Sequence, residues 1–183
     1  MNNLFAFKTA IATAALMALP LAQAANISKA DFGAGKTRIS ADYKADKAAC
    51  ASLTANAKDI CVEEAHAKEK VARAELEFAY TGKTDDQNKV RVAKAKSAYA
   101  VAKEKCDEQS GNAKDVCVKE AKAVETKALA DAKMGKEITA ARSDAATDKL
   151  TADYKVALEK CDGLAGDPKA ACVASAKARF GKT

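Results

Sequence analysis

Cys106-Asp107-Glu108-Gln109-Ser110-Gly111-Asn112-Ala113-Lys114-Asp115-Val116-Cys117 is the stretch whose reading decides the fold. Upstream of it, Val92, Ala95, Tyr99, Ala102 and Cys106 recur at steps of 3, 4, 3 and 4, which is one stripe of an α-helix. Gly111 then reads as a left-handed helix stop, Asn112 as a cap for a second helix, and Asp115 as an anion near its positive end. Downstream, Cys117, Ala121, Val124 and Ala128 form a matching stripe. The segment therefore predicts helix, tight turn, helix, with each cysteine on an inward face about one turn from the loop. Across such an antiparallel pair, two Cβ atoms approach to roughly 4 Å, the separation a disulfide requires.

The same arrangement occurs twice more. Cys50 and Cys61, and Cys161 and Cys172, are also separated by ten residues, and the first cysteines stand 56 and 55 residues apart. A tyrosine precedes each first cysteine by seven positions (Tyr43, Tyr99, Tyr154), and a valine follows each second one (Val62, Val118, Val173). Ile39-Ser40-Ala41-Asp42-Tyr43-Lys44 mirrors Leu150-Thr151-Ala152-Asp153-Tyr154-Lys155. These matches define a threefold internal repeat, with copies over about 38–85, 86–136 and 137–183. The third copy makes its turn with Gly166, Asp167 as cap and Pro168 at the first helical position, whereas the first has Ala55 and Asn56, the least well specified turn. The expected fold is all-α: three antiparallel α-hairpins stapled by Cys50–Cys61, Cys106–Cys117 and Cys161–Cys172, as an elongated array or an up-down bundle. Helix breaks are expected at 81–86 and near Gly135, and residues 25–37, with Gly33 and Gly35, read as an irregular N-terminus. Alternating connections would bring all three disulfide turns to one end.

Residues 1–24 read as a signal peptide: Lys8 in a short n-region, an apolar run from Thr9 to Pro20, and Ala22-Gln23-Ala24 as the cleavage pattern. The run is too short to span a bilayer, so a periplasmic or secreted chain without a membrane span is expected. Six cysteines in an exported chain imply disulfides, because that compartment lacks the thiol reductants of the cytoplasm. The formal charge of +6 arises from 31 basic residues interleaved with 25 acidic ones. Such mixing describes solvated helical surfaces and argues against a specific nucleic-acid interface. With no Trp and an Ala-rich apolar fraction, the composition permits only thin helix-on-helix packing.

Motifs with chemical meaning resolve into structural ones. Ala30 to Thr37 ends in Gly-Lys-Thr like a phosphate-binding loop, but no buried strand precedes it, and Gly-Lys-Thr recurs at Gly82 and Gly181 as helix-stop punctuation. His66, the single histidine, falls where the other copies carry Lys122 and Lys177, which reads as a solvated basic position. No cysteine pair has the two-residue gap of a chelate or of a haem attachment motif. The three tyrosines read as ring packing between the helices of each hairpin. No catalytic residue, cofactor or metal ligand is expected, and the six cysteines are the only assigned site.

The runs Ala-Asp-Tyr-Lys (Ala41 to Lys44) and Asn-Ala-Lys-Asp-(Ile/Val)-Cys-Val (Asn56 to Val62, Asn112 to Val118) are similar to those of small Ala/Lys/Glu-rich exported proteins of Gram-negative bacteria. Some of these resemble in composition the helical stalk of TolA-type envelope proteins. Export, the internal repeats and the absence of a polar constellation lead to the expectation of a non-catalytic structural or interaction role in the cell envelope. The competing expectation is a holdase-type chaperone, or a binder of anionic envelope polymers, that uses the cleft between hairpins and exposed lysines. Envelope proteins or anionic polymers are the partners that follow from these two expectations.

Overall fold

The computed structural model describes residues 26–182, so the segment 1–24, read above as a signal peptide, lies outside the described residues. The fold is all-helical: α1 (Lys29–Ala49), α2 (Ala55–Thr81), α3 (Thr84–Cys106), α4 (Gly111–Asp162) and α5 (Gly166–Arg179). A single 3₁₀ turn, Cys50–Ser52, extends α1 into the first loop. Among the described residues, each helix packs only on its neighbours in sequence. The result is an array of side-by-side antiparallel hairpins and not a closed bundle.

Three features differ from the sequence reading. Residues 29–37 are not irregular but form the first turns of α1. Ser28 caps it, accepting a hydrogen bond from the Asp31 amide at 3.1 Å, while the Ser28 hydroxyl donates to the Asp31 carboxylate at 2.7 Å. Phe32 then stacks on Tyr80 of α2 with ring centroids 4.5 Å apart. Gly35, read as a breaker, is buried and opposes Leu76, whose Cδ1 would lie 2.6 Å from a Cβ at that position. The glycine serves close approach of α1 to α2.

The expected break near Gly135 does not occur either, and among the described residues there are five helices where six were expected. α4 runs unbroken for 52 residues, about 78 Å at 1.5 Å per residue, and supplies both the second helix of the middle hairpin and the first helix of the last. A helix-interior glycine costs only about 1 kcal/mol relative to alanine. Here Arg91 of α3 lies over Gly135, with Nη1 2.5 Å from where a Cβ would sit, and Lys136 pairs with Asp85 at 3.0 Å. Because α4 does not reverse, the third disulfide turn emerges at the opposite end of the array from the first two.

The helix starts differ as well: Asn112 and Asp167 are not caps. α4 and α5 begin at the left-handed Gly111 (φ 55°) and Gly166 (φ 60°), preceded by extended Ser110 and Ala165 without a side-chain cap bond. Gly82 (φ 62°) ends α2 in the left-handed conformation.

The core is thin. Its buried apolar residues are Cys50, Ala65, Val90, Ala95, Cys106, Ala132, Cys161 and Ala176. The largest fully buried side chains are the three cysteines Cys50, Cys106 and Cys161. Alanine faces bury little area per residue, so the cross-links form a large share of what holds each hairpin closed.

Candidate functional site

The structure brings Cys50 to Cys61, Cys106 to Cys117 and Cys161 to Cys172, with Cα–Cα distances of 5.7, 5.6 and 5.7 Å, and no cysteine is free. Each bond seals the tip of one hairpin. Lys114 pairs with Asp107 at 2.9 Å across the second turn, and Lys169 with Asp162 at 2.9 Å across the third. The Asp107 carboxylate, hydrogen-bonded to the Lys114 ammonium, holds that ammonium above its ordinary range. The first turn has Ala51 in the acidic position and Ala55 at φ 50° where the others have glycine. It is the most strained of the three.

Behind each tip lies a tyrosine position. Tyr43, Tyr99 and Tyr154 are half-buried, each turned toward the second helix of its hairpin. His66 is not a freely solvated residue: it is half-buried, with Nε2 2.9 Å from the Tyr43 hydroxyl and ring centroids 4.9 Å apart. In the middle hairpin Lys122 sits over the Tyr99 ring at 4.9 Å and pairs with Glu125 at 2.6 Å. In the last, Tyr154 meets Phe180 at 5.7 Å. His66 and Lys122 thus hold equivalent places, each against the tyrosine of its hairpin, but the exposure expected of His66 from that correspondence is not observed.

The buried carboxylates escaped sequence reading. Glu125 is 6 % exposed and lies on the face turned toward α3, whereas Val124, placed there from the sequence, is 64 % exposed. The inward line runs 117, 121, 125, 128, 132, and Glu125 is tolerated on it because Lys122 from the preceding turn neutralises it. Hydrogen bonding to Glu125 raises the Lys122 ammonium above its ordinary range. Asp86 is 5 % exposed at the start of α3, accepting from Lys89 at 2.7 Å and from the Thr81 hydroxyl at 2.6 Å. These bonds, that of Lys89 first, hold its carboxyl below the ordinary value of 3.8. The carboxylates are far apart along the array and each has its own cation, an arrangement that anchors helices and does not set up general acid–base work.

An open groove of about 500 Å³ lies between α2 and α3, that is, between the first and second hairpins. Val71, Ala98, Val101 and Ala102 provide an apolar floor, and the buried Ser97 hydroxyl has no hydrogen-bond partner. Lys68, Lys94 and Lys105 stand at the rim, each engaged: with Asp46 at 3.2 Å, Glu75 at 2.7 Å and Glu64 at 2.8 Å. The rim is thus of mixed charge around an apolar centre.

Gly35-Lys36-Thr37, the phosphate-loop-like run, lies inside α1, so its amides are engaged in the helix and do not form a cradle. Among the described residues, no three His, Cys, Asp or Glu side chains converge as a metal site, and no helix is long and apolar enough to cross a membrane. Comparison with protein-family models, with curated proteins and with solved structures finds no match to this chain.

Proposed function

We propose that this protein is an exported, non-catalytic helical protein of the cell envelope that acts by holding other macromolecules and not by transforming a substrate. One observation carries the reading. Cross-linked cysteines are the largest fully buried side chains of a fold that has little else at its centre. A chain built this way depends on an oxidising compartment. The export signal read at residues 1–24 and the likeness to exported Ala/Lys-rich proteins agree with it. The test is cell fractionation combined with mass spectrometry of the native chain. The expected result is an N-terminus at Ala25, three intact disulfides and partners captured from envelope extracts. Six free thiols in the native protein would overturn the reading, as would an unprocessed cytoplasmic chain.

The groove between α2 and α3 favours a second, narrower reading, a holdase for unfolded envelope proteins. An apolar floor edged by both signs of charge suits extended peptide segments with apolar side chains. It suits anionic polymers less, because each rim lysine already has a carboxylate. Suppression of aggregation of an unfolded outer-membrane protein, weakened by Val101→Asp and little affected by salt, is the expected outcome. Suppression that disappears steeply with rising salt would instead identify an electrostatic polymer binder.

A further inference from the structure

The middle of α4 stands alone. α3 covers its first part as far as Lys136, and α5 covers its last part from about Thr151, so every residue from 136 to 150 is exposed. An isolated helical stretch of this length is marginal in water unless it gains a partner or a dense set of intrahelical ion pairs. Such pairs are sparse here. Lys133–Glu137, at 3.8 Å, is the one intrahelical pair here, and among the described residues Arg142, Asp144, Asp148 and Lys149 make none. An apolar line nevertheless runs along this segment. Met134 (54 % exposed), Ile138 (44 % exposed), Ala141, Ala145 and Ala152 follow at steps of 4, 3, 4 and 7. At 3.6 residues per turn this line lies on the side of α4 opposite Ala132 and Cys161, which face α3 and α5.

We infer that this face of α4 is a homodimer interface, on which a second copy of the chain docks its own α4 in parallel. The charges choose the partner and the direction. Glu137 and Asp144 flank the line on one side, and Arg142 and Lys149 flank it on the other. In a parallel pair of helices, a residue on the first flank faces the residue five positions further on along the second flank of the partner. Glu137 then meets Arg142 of the other copy, and Asp144 meets Lys149, giving four opposite-charge contacts by two-fold symmetry. An antiparallel pair would set like flanks together, bringing Arg142 against Lys149. Asp148 falls on the seam itself and limits its strength, so the dimer is a modest one.

The test is analytical ultracentrifugation of the oxidised mature protein, with circular dichroism as a check on helix content. The unmodified chain should show reversible dimerisation. Arg142→Glu with Lys149→Glu should weaken it by about tenfold or more, since four attractive contacts become repulsive. Adding Glu137→Lys and Asp144→Lys should restore it, and Asp148→Leu should tighten it. Ile138→Cys should form a disulfide with its own counterpart. A chain monomeric at every accessible concentration would overturn the inference, as would a dimer indifferent to the charge reversals. Cross-linking of a cysteine at 138 to one placed at 152, in preference to 138 with 138, would overturn the parallel arrangement.

Discussion

Ala55, Gly111 and Gly166 occupy the same place in the three turns and share one backbone conformation, at φ of 50, 55 and 60°. A left-handed conformation costs an alanine about 1–2 kcal/mol, through contact of its Cβ with the following carbonyl. A glycine escapes that cost but loses about 0.5–1 kcal/mol more backbone freedom on folding. The difference predicts that Ala55→Gly stabilises the first hairpin by about 0.5–1 kcal/mol. It predicts equal and opposite effects for Gly111→Ala and Gly166→Ala. The two glycines make a clean comparison, because an added Cβ at either position meets nothing within 4 Å, leaving the backbone as the only source of a penalty. For a chain of this size the expected shift in Tm is about 1–4 °C. Serial hairpins can open separately, so the sharper assay is native-state hydrogen exchange at the turn amides, read beside urea unfolding followed at 222 nm. Slower exchange around 50–58 in the Ala55→Gly protein is the expected result. Faster exchange there, or no loss of stability in Gly111→Ala, would refute the reasoning.

Other outcomes follow from the same geometry. Replacing Cys161 and Cys172 by Ser should cost about 3 kcal/mol on the chain-entropy account and release α5 selectively, since its 14 residues pack on α4 alone. Limited proteolysis should then cut near Lys169 and Lys177 while α1 to α3 stay protected. Gly35→Ala should destabilise by up to about 2 kcal/mol, because overpacking against Leu76 exceeds the gain in helix propensity. In a Leu76→Ala background the same change should become stabilising by about 1 kcal/mol, and a double-mutant cycle measured by urea unfolding reads the reversal. The Asp86 carboxyl is held below its ordinary value of 3.8 in the folded protein. Its contribution is therefore complete above the unfolded pKa and is lost as pH falls through the lower, folded one. Asp86→Asn should remove that part of the acid sensitivity below about pH 4, as measured by denaturation at stepped pH. Tyr43→Phe should cost about 0.5–1.5 kcal/mol through loss of the bond to His66, and the corresponding change at Tyr99, whose ring faces Lys122, should cost less.

The hairpin tips were legible in the sequence because everything that makes them is local. Cysteine spacing, the glycine before Asn112 and the stripe through Tyr99 all act over about fifteen residues or fewer and carry their geometry with them. The groove between α2 and α3 was legible only in outline. Its position between hairpins could be expected, but its lining depends on which faces of two separate helices come together.

Propensity alone misjudged the places where two helices meet. Gly33, Gly35 and Gly135 carry the composition of breaks, and a single chain offers no sign that Leu76 fills the space over one of them or that Arg91 covers another. Glu125 likewise looks like a surface residue until Lys122 folds onto it and allows it to be buried. By itself the sequence determined an all-helical chain with three disulfide-sealed turns and the partner of each cysteine, since each follows from contacts within a segment of about a dozen residues. Tertiary packing decided that α4 continues through Gly135, which sends the third tip to the far end and leaves residues 136–150 bare. The reason is energetic: a glycine in a helix costs about 1 kcal/mol, an amount that one well-placed neighbouring helix can offset.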